Sequence, residues 1–197
     1  SRITSASSRK RGARATPALL KKDPENRLLA RAPRFRLDAE VIRDQARSLS
    51  GLLVPTLGGR GVRPYQPPNI WEPVGFASSN TGNYKQGKSD DLYRRSIYTF
   101  LKRTAPAPFM TSFDAPSRES TCVRRERTNT PMQALALLND PQYVEFSRGF
   151  ARRILAEGGD SDSSKLRFAL LCLTSRAPDP SETDVLLGLL QNAREHF

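Results

Sequence analysis

The feature that most constrains this chain is a two-residue pair that occurs five times, a capping residue followed by proline: Thr16-Pro17, Asp23-Pro24, Thr130-Pro131, Asp140-Pro141 and Asp179-Pro180. Proline lacks an N–H and its φ is already helical, so it suits the first helical position, while the Thr or Asp before it accepts from a free N-terminal amide. Each pair predicts a helix start. Two short helical turns follow near Pro17–Lys22 and Pro24–Ala30. Asp38 caps a stronger helix, Ala39 to about Leu49, with Val41, Ile42, Ala46, Leu49 and Leu53 near one face and Gly51 as its stop. Thr130-Pro131 opens an apolar helix that Asn139-Asp140-Pro141 breaks. The next helix, Pro141–Ala156, has Val144, Phe146, Phe150, Ala151, Ile154 and Leu155 as its apolar set and ends at Gly158-Gly159. Lys165–Thr174 is apolar nearly all round, which predicts deep burial. A last helix begins at Asp179-Pro180, with Val185, Leu186, Leu189 and Leu190 turned to the body.

Between these ends, Pro55–Ser89 is rich in Gly, Pro, Asn and Ser and shows no periodicity, as in a functional loop or a wrapping segment. Its centre, Arg63–Trp71, favours extended polyproline geometry and offers Tyr65 and Trp71 as packing rings. Ile97-Tyr98-Thr99-Phe100-Leu101 is made of strand formers and predicts a short strand or extended core segment at Ser96–Leu101. The expected fold is mainly α: an irregular, loop-rich domain with a C-terminal helical bundle and at most a short strand or two. The expected organisation is a basic arm at residues 1–23 and a single domain at 24–197.

Ser1–Arg36 holds eleven Lys/Arg against two acidic residues, a net +9 of the chain's +12, which leaves +3 for the remainder. A basic arm calls for an acidic partner, but with no aromatic before Phe35 it lacks stacking platforms, and nucleic acid is disfavoured. No apolar run approaches membrane-span length. The chain opens on Ser-Arg-Ile-Thr, without Met or a signal peptide, and so reads as a fragment of a larger protein. A single histidine, His196, argues against His-based catalysis and His metal clusters, so no catalytic residue and no metal ligand is assigned. Cys122 and Cys172 allow one disulfide or two free thiols. Gly82–Ser89 matches the phosphate-loop pattern Gly-x4-Gly-Lys-Ser, yet it lacks the preceding strand that makes the pattern functional, and Asp90-Asp91 would oppose a nucleotide's phosphates.

The densest chemistry lies in Asp114–Arg127. Arginine's planar five-donor fork pairs with carboxylates and oxyanions at two points. One reading makes Arg118, Arg124, Arg125 and Arg127, with Tyr65 or Trp71 as a stacking platform, a ligand site for an anionic glycan. The preferred reading is structural: Arg124 and Arg127, with their neighbours, pair with Asp38, Asp44, Asp91, Asp114 and Glu119 and tie the loops together. Neither reading supplies a nucleophile or a base. Asp and Glu are plentiful enough to furnish an acid/base pair, but nothing in the spacing selects two of them.

Phe35–Asp44, Pro64-Tyr65-Gln66-Pro67-Pro68, Asp91–Tyr98, Phe113-Asp114-Ala115-Pro116 and Arg124–Pro131 together resemble a planctomycete-specific domain family of unknown function. The likeness runs from about Pro24 to the C-terminus. That family lies C-terminal in large proteins with a predicted planctomycete cytochrome c domain, so the resemblance implies an exported parent with a c-type haem elsewhere in it. No cofactor is expected in this segment, and the family carries no assigned activity. Two functions follow as expectations: a non-catalytic module docking to neighbouring haem or carbohydrate-handling domains of its parent, or an anionic-glycan-binding or polysaccharide-processing domain.

Overall fold

The structure, a computed structural model, describes residues 21–25, 27, 36–76 and 81–196. The chain divides into two units at Arg36/Leu37. In the first, Lys21 and Lys22 are helical, and the Arg27 N–H donates to the Asp23 carboxylate at 2.7 Å; the rest of the turns expected at 17–22 and 24–30 lies outside the described residues.

The second unit carries six α-helices among the described residues: α1 (Ala39–Ser50), α2 (Pro108–Ser112), α3 (Pro131–Asn139), α4 (Pro141–Glu157), α5 (Asp162–Thr174) and α6 (Pro180–His196). The described residues are mainly helical, with irregular connections and no sheet among them. The expected helix starts at Pro131, Pro141 and Pro180 are those observed. Asp140 caps α4 by accepting from the Gln142 N–H, and Gly51, at φ 75°, ends α1 in the left-handed conformation that costs glycine little.

The core is an aromatic cluster between α1, α2 and α4. Ala39, Phe109, Met110, Phe113, Tyr143 and Phe146 are buried, and Ile42, Ala46, Leu52 and Ala136 pack against them. Phe109 lies 5.0 Å from Phe113 and 5.2 Å from Tyr143, offset geometries that suit ring quadrupoles. Helices α1 and α4 cross closely at Gly149: a Cβ there would come within 3.0 Å of the Ser50 Cβ and carbonyl.

Helix α1 packs Ile42 and Ala46 against this core, but the stripe it buries most deeply is one its apolar pattern does not predict. Its buried residues are Ala39, Arg43, Arg47 and Ser50, whereas Val41 is 48% exposed. In place of the short strand or extended core segment expected at Ser96–Leu101, the structure has a 3-10 turn, Ser96–Tyr98, followed by an extended, buried Thr99 in a single parallel bridge to Val62. Groups on α1 capture the turn: Asp44 accepts from the Ser96 N–H at 2.8 Å, and Arg43 donates to Ser96 Oγ at 3.3 Å. Ile97 points to solvent, so no alternating face exists for a strand to bury.

The C-terminal helices also depart from expectation. Helix α5 has no buried residue, because it packs mainly against α4 and α6 and leaves Leu171 and Leu173 facing out. Val185 and Leu189 of α6, and Val144 and Leu155 of α4, are exposed as well. Cys122 and Cys172 are both free.

Candidate functional site

Asp114–Arg127 forms a loop closed at its ends. Asp114 accepts from the Thr128 N–H at 2.7 Å and from the Thr128 hydroxyl at 2.9 Å, and its own φ of 59° turns the chain there, a conformation Asp tolerates. Gln133 of α3 continues this closure, accepting from the Thr130 N–H and donating to Thr128 Oγ1 at 3.2 Å.

The loop's arginines meet the first turn of α1. Arg125 forks onto Glu40 at 2.7 and 3.3 Å and lies 3.7 Å from Asp38. Arg127 reaches Asp38 at 3.5 Å, and Arg118 stands 3.7 Å from Glu40. Burial pushes the Glu40 carboxyl upward, but the Arg125 hydrogen bonds and the Arg125 and Arg118 charges outweigh it, and Glu40 titrates below its ordinary range. The crevice bordered by Glu40 and Arg118 is about 10 Å³, room for a single water.

The other residues of the two sequence readings are dispersed. Asp44 serves Arg47 at 3.5 Å and the Ser96 amide. Among the described residues Arg124, Glu119 and Asp91 form no ion pair. Glu40, absent from either reading, is the principal carboxylate. Trp71 is 1% exposed, edge-on to Tyr84 at 4.9 Å and tilted on Phe100 at 5.7 Å. The cations over its ring are Arg63 at 5.3 Å and Lys102 at 5.0 Å, so it shares no surface with the loop arginines. Tyr65 is half-buried, and its carbonyl accepts from Gln142.

A second set of cations sits deeper, and nothing in the apolar pattern marks it. Arg43 donates twice to Gln142 Oε1, at 3.0 and 2.6 Å. Arg47, with no exposed surface, donates to the carbonyls of Leu92 and Arg94. Arg94 in turn gathers the carbonyls of Thr56, Gly58 and Arg60 and stacks on Tyr98 at 4.0 Å. Burial lowers the Arg43 guanidinium to about 10 and, with the repulsion of Arg43, the Arg47 guanidinium to about 9, so both stay charged at neutral pH. The one signal for this set is the spacing Ala39-x3-Arg43-x3-Arg47-x2-Ser50, which places two small residues and two arginines on one helical stripe.

These contacts align the helices with the loops. They bring together no nucleophile and base, and no three His, Cys, Asp or Glu among the described residues are placed to hold a metal ion. No helix among the described residues is long and apolar enough to cross a membrane.

An apolar groove of about 360 Å³ opens where α1 and α4 diverge. Ile42, Ala46 and Leu49 form one wall, Phe146 and Phe150 the other, and Leu137 and Leu173 the rim. Comparison with curated proteins and with solved structures returns no match. Comparison with protein families does: the model of PSD1, described as a protein of unknown function (DUF1553), matches residues 2–190, and the chain belongs to that family.

Proposed function

We propose that this chain is a non-catalytic interaction module that docks to neighbouring domains of an exported parent protein. The observation that carries the reading is the apolar groove, with Leu137 and Leu173 in its lining 40% and 46% exposed and Leu138, next to Leu137 in α3, 74% exposed. Contiguous apolar surface of this kind is costly to leave in water and marks a protein interface. The reading calls for a partner that presents apolar side chains to this groove. By the resemblance to planctomycete domains linked to a cytochrome c domain, that partner is a haem-carrying or carbohydrate-handling domain of the same exported polypeptide. A glycan-binding role for Arg118, Arg124, Arg125 and Arg127 with Tyr65 and Trp71 has less support, because Trp71 is enclosed and Arg125 is engaged by Glu40.

Titration calorimetry of the chain against the parent's other domains tests this. Binding that Leu138→Asp with Leu173→Asp weakens at least about tenfold supports it, as an apolar contact converted to an unpaired charge costs more than about 1.4 kcal/mol. Binding left unchanged by that pair, or no binding to any parent domain, refutes it. Sedimentation at matched concentrations separates docking from self-association.

A further inference from the structure

The long loop and the Gly82–Ser89 segment build a second cavity, of about 340 Å³, on the side of Trp71 occupied by Arg63. Its cations are Arg60, Arg63 and Lys85, and its single carboxylate is Asp91. We propose that this cavity binds a phosphate or sulfate ester of a small ligand, with Arg63 as its central cation.

Three observations lead there. First, the half-buried Arg63 guanidinium is held by rings instead of a carboxylate, 5.3 Å from Trp71 and 5.1 Å from Phe100. Ring stacking orients the fork without neutralising it. Second, Arg60, Arg63 and Lys85 have no ion pair among the described residues, whereas Arg125, Arg153, Arg176 and Arg194 each hold a carboxylate at 2.6–3.0 Å. Third, the cavity is shaped by its backbone. The Gly87 N–H donates to the Arg63 carbonyl at 2.7 Å, joining the two walls, and a Cβ at Gly87 would strike the Asp91 Cβ at 2.9 Å.

This geometry also accounts for the phosphate-loop match. Lys85, Gln86 and Gly87 do line a cationic cavity, but the Gly87 amide is already engaged and the segment runs into a 3-10 turn, Ser89–Leu92, in place of an α-helix. With that amide engaged and no α-helix following, the described segment does not offer the backbone cradle a nucleotide's polyphosphate needs, and what remains is side-chain recognition of one oxyanion. Asp91 sets the charge and the rest of the ligand. A carboxylate in the wall repels a second negative charge and accepts from a hydroxyl, so a hydroxylated ester of monosaccharide size fits, and the volume suits one such ring.

The test is titration calorimetry of the full chain with inorganic phosphate, inorganic sulfate, glucose 6-phosphate, glucose 6-sulfate and glucose. The two hexose esters bind with Kd of about 0.1–1 mM, the inorganic ions more weakly and glucose not at all. Arg60→Gln with Lys85→Gln lowers ester affinity at least about tenfold, and Asp91→Asn raises it, more for phosphate than for sulfate. Arg124→Gln, at an exposed arginine outside the cavity, changes nothing. Equal weakening in Arg124→Gln would show mere attraction to the net charge. That result, an unaltered Kd in the double variant, a lowered affinity in Asp91→Asn, or no ester binding at all would overturn the proposal. Because the apolar groove is not involved, Leu138→Asp with Leu173→Asp leaves ester binding intact whichever way the docking experiment falls.

Discussion

Replacing Glu40 tests whether the 114–127 loop is tied to α1 by charge. Glu40 is about 20% exposed and Arg125 about 34%, so their two-point contact lies between a surface pair, worth about 0–1 kcal/mol, and a buried one, whose breakage costs about 3–5 kcal/mol. Discounted for that exposure, Glu40→Gln is expected to destabilise by about 1–2 kcal/mol and Arg125→Gln by about 1 kcal/mol. Arg125→Gln is the milder because Arg118, 3.7 Å from Glu40, still compensates part of the carboxylate's charge. The double variant should cost little more than Glu40→Gln, giving a coupling of about 1 kcal/mol in urea unfolding at neutral pH. The pH dependence supplies a second signature. Glu40 titrates lower folded than unfolded, so its contribution is fully present above the ordinary carboxylate range near pH 4.3 and disappears as pH falls through the folded value. Additive single-variant effects at neutral pH, with a coupling under about 0.3 kcal/mol, would show that the loop is held without the pair and would refute this account of the cluster.

Arg47→Met should be the most destabilising change on α1, by about 3–5 kcal/mol in urea unfolding, because it strips the buried Leu92 and Arg94 carbonyls of their donor; wild-type stability in this variant would contradict it. Gly149→Ala forces α1 and α4 apart at Ser50 and should cost about 1–3 kcal/mol, seen as a lower thermal midpoint. Cys122 is exposed and Cys172 half-buried, so a maleimide should label one thiol at the rate of a free peptide and the other more slowly; mass mapping that finds Cys172 labelled first would count against this packing.

Much of the architecture is legible in the residues because helix starts are local chemistry. Thr130-Pro131, Asp140-Pro141 and Asp179-Pro180 need nothing beyond their own neighbours to be helix N-termini. What failed was the inference from apolar pattern to burial. On α1 the pattern points to Ile42, Ala46 and Leu49, and those residues do border an apolar groove, but the stripe of deepest burial holds Arg43 and Arg47. Binary patterning treats arginine as a surface residue and has no means of registering one that faces carbonyls. The same blindness hid Arg94, and it let Asp114–Arg127 be matched with Asp44 and Asp91 when the carboxylates in reach were Asp38 and Glu40.

The buried arginines and the lack of a sheet among the described residues have one cause. Every loop that covers a core brings carbonyls that a sheet would have satisfied with strand amides, and here the described residues offer only isolated bridges at Val54 and Val62. Long side chains supply the donors instead. Arg47 serves the carbonyls of Leu92 and Arg94, Arg94 those of Thr56, Gly58 and Arg60, Arg153 that of Leu49, Lys102 that of Thr81 and Gln142 that of Tyr65. A guanidinium can serve several carbonyls at once and stay charged while buried, which no aliphatic residue at 43, 47 or 94 could do. The irregular loops and the polar face of α1 therefore depend on each other: without Arg47 the Leu92 and Arg94 carbonyls would be buried unpaired, and without the loops the arginines would have nothing to hold.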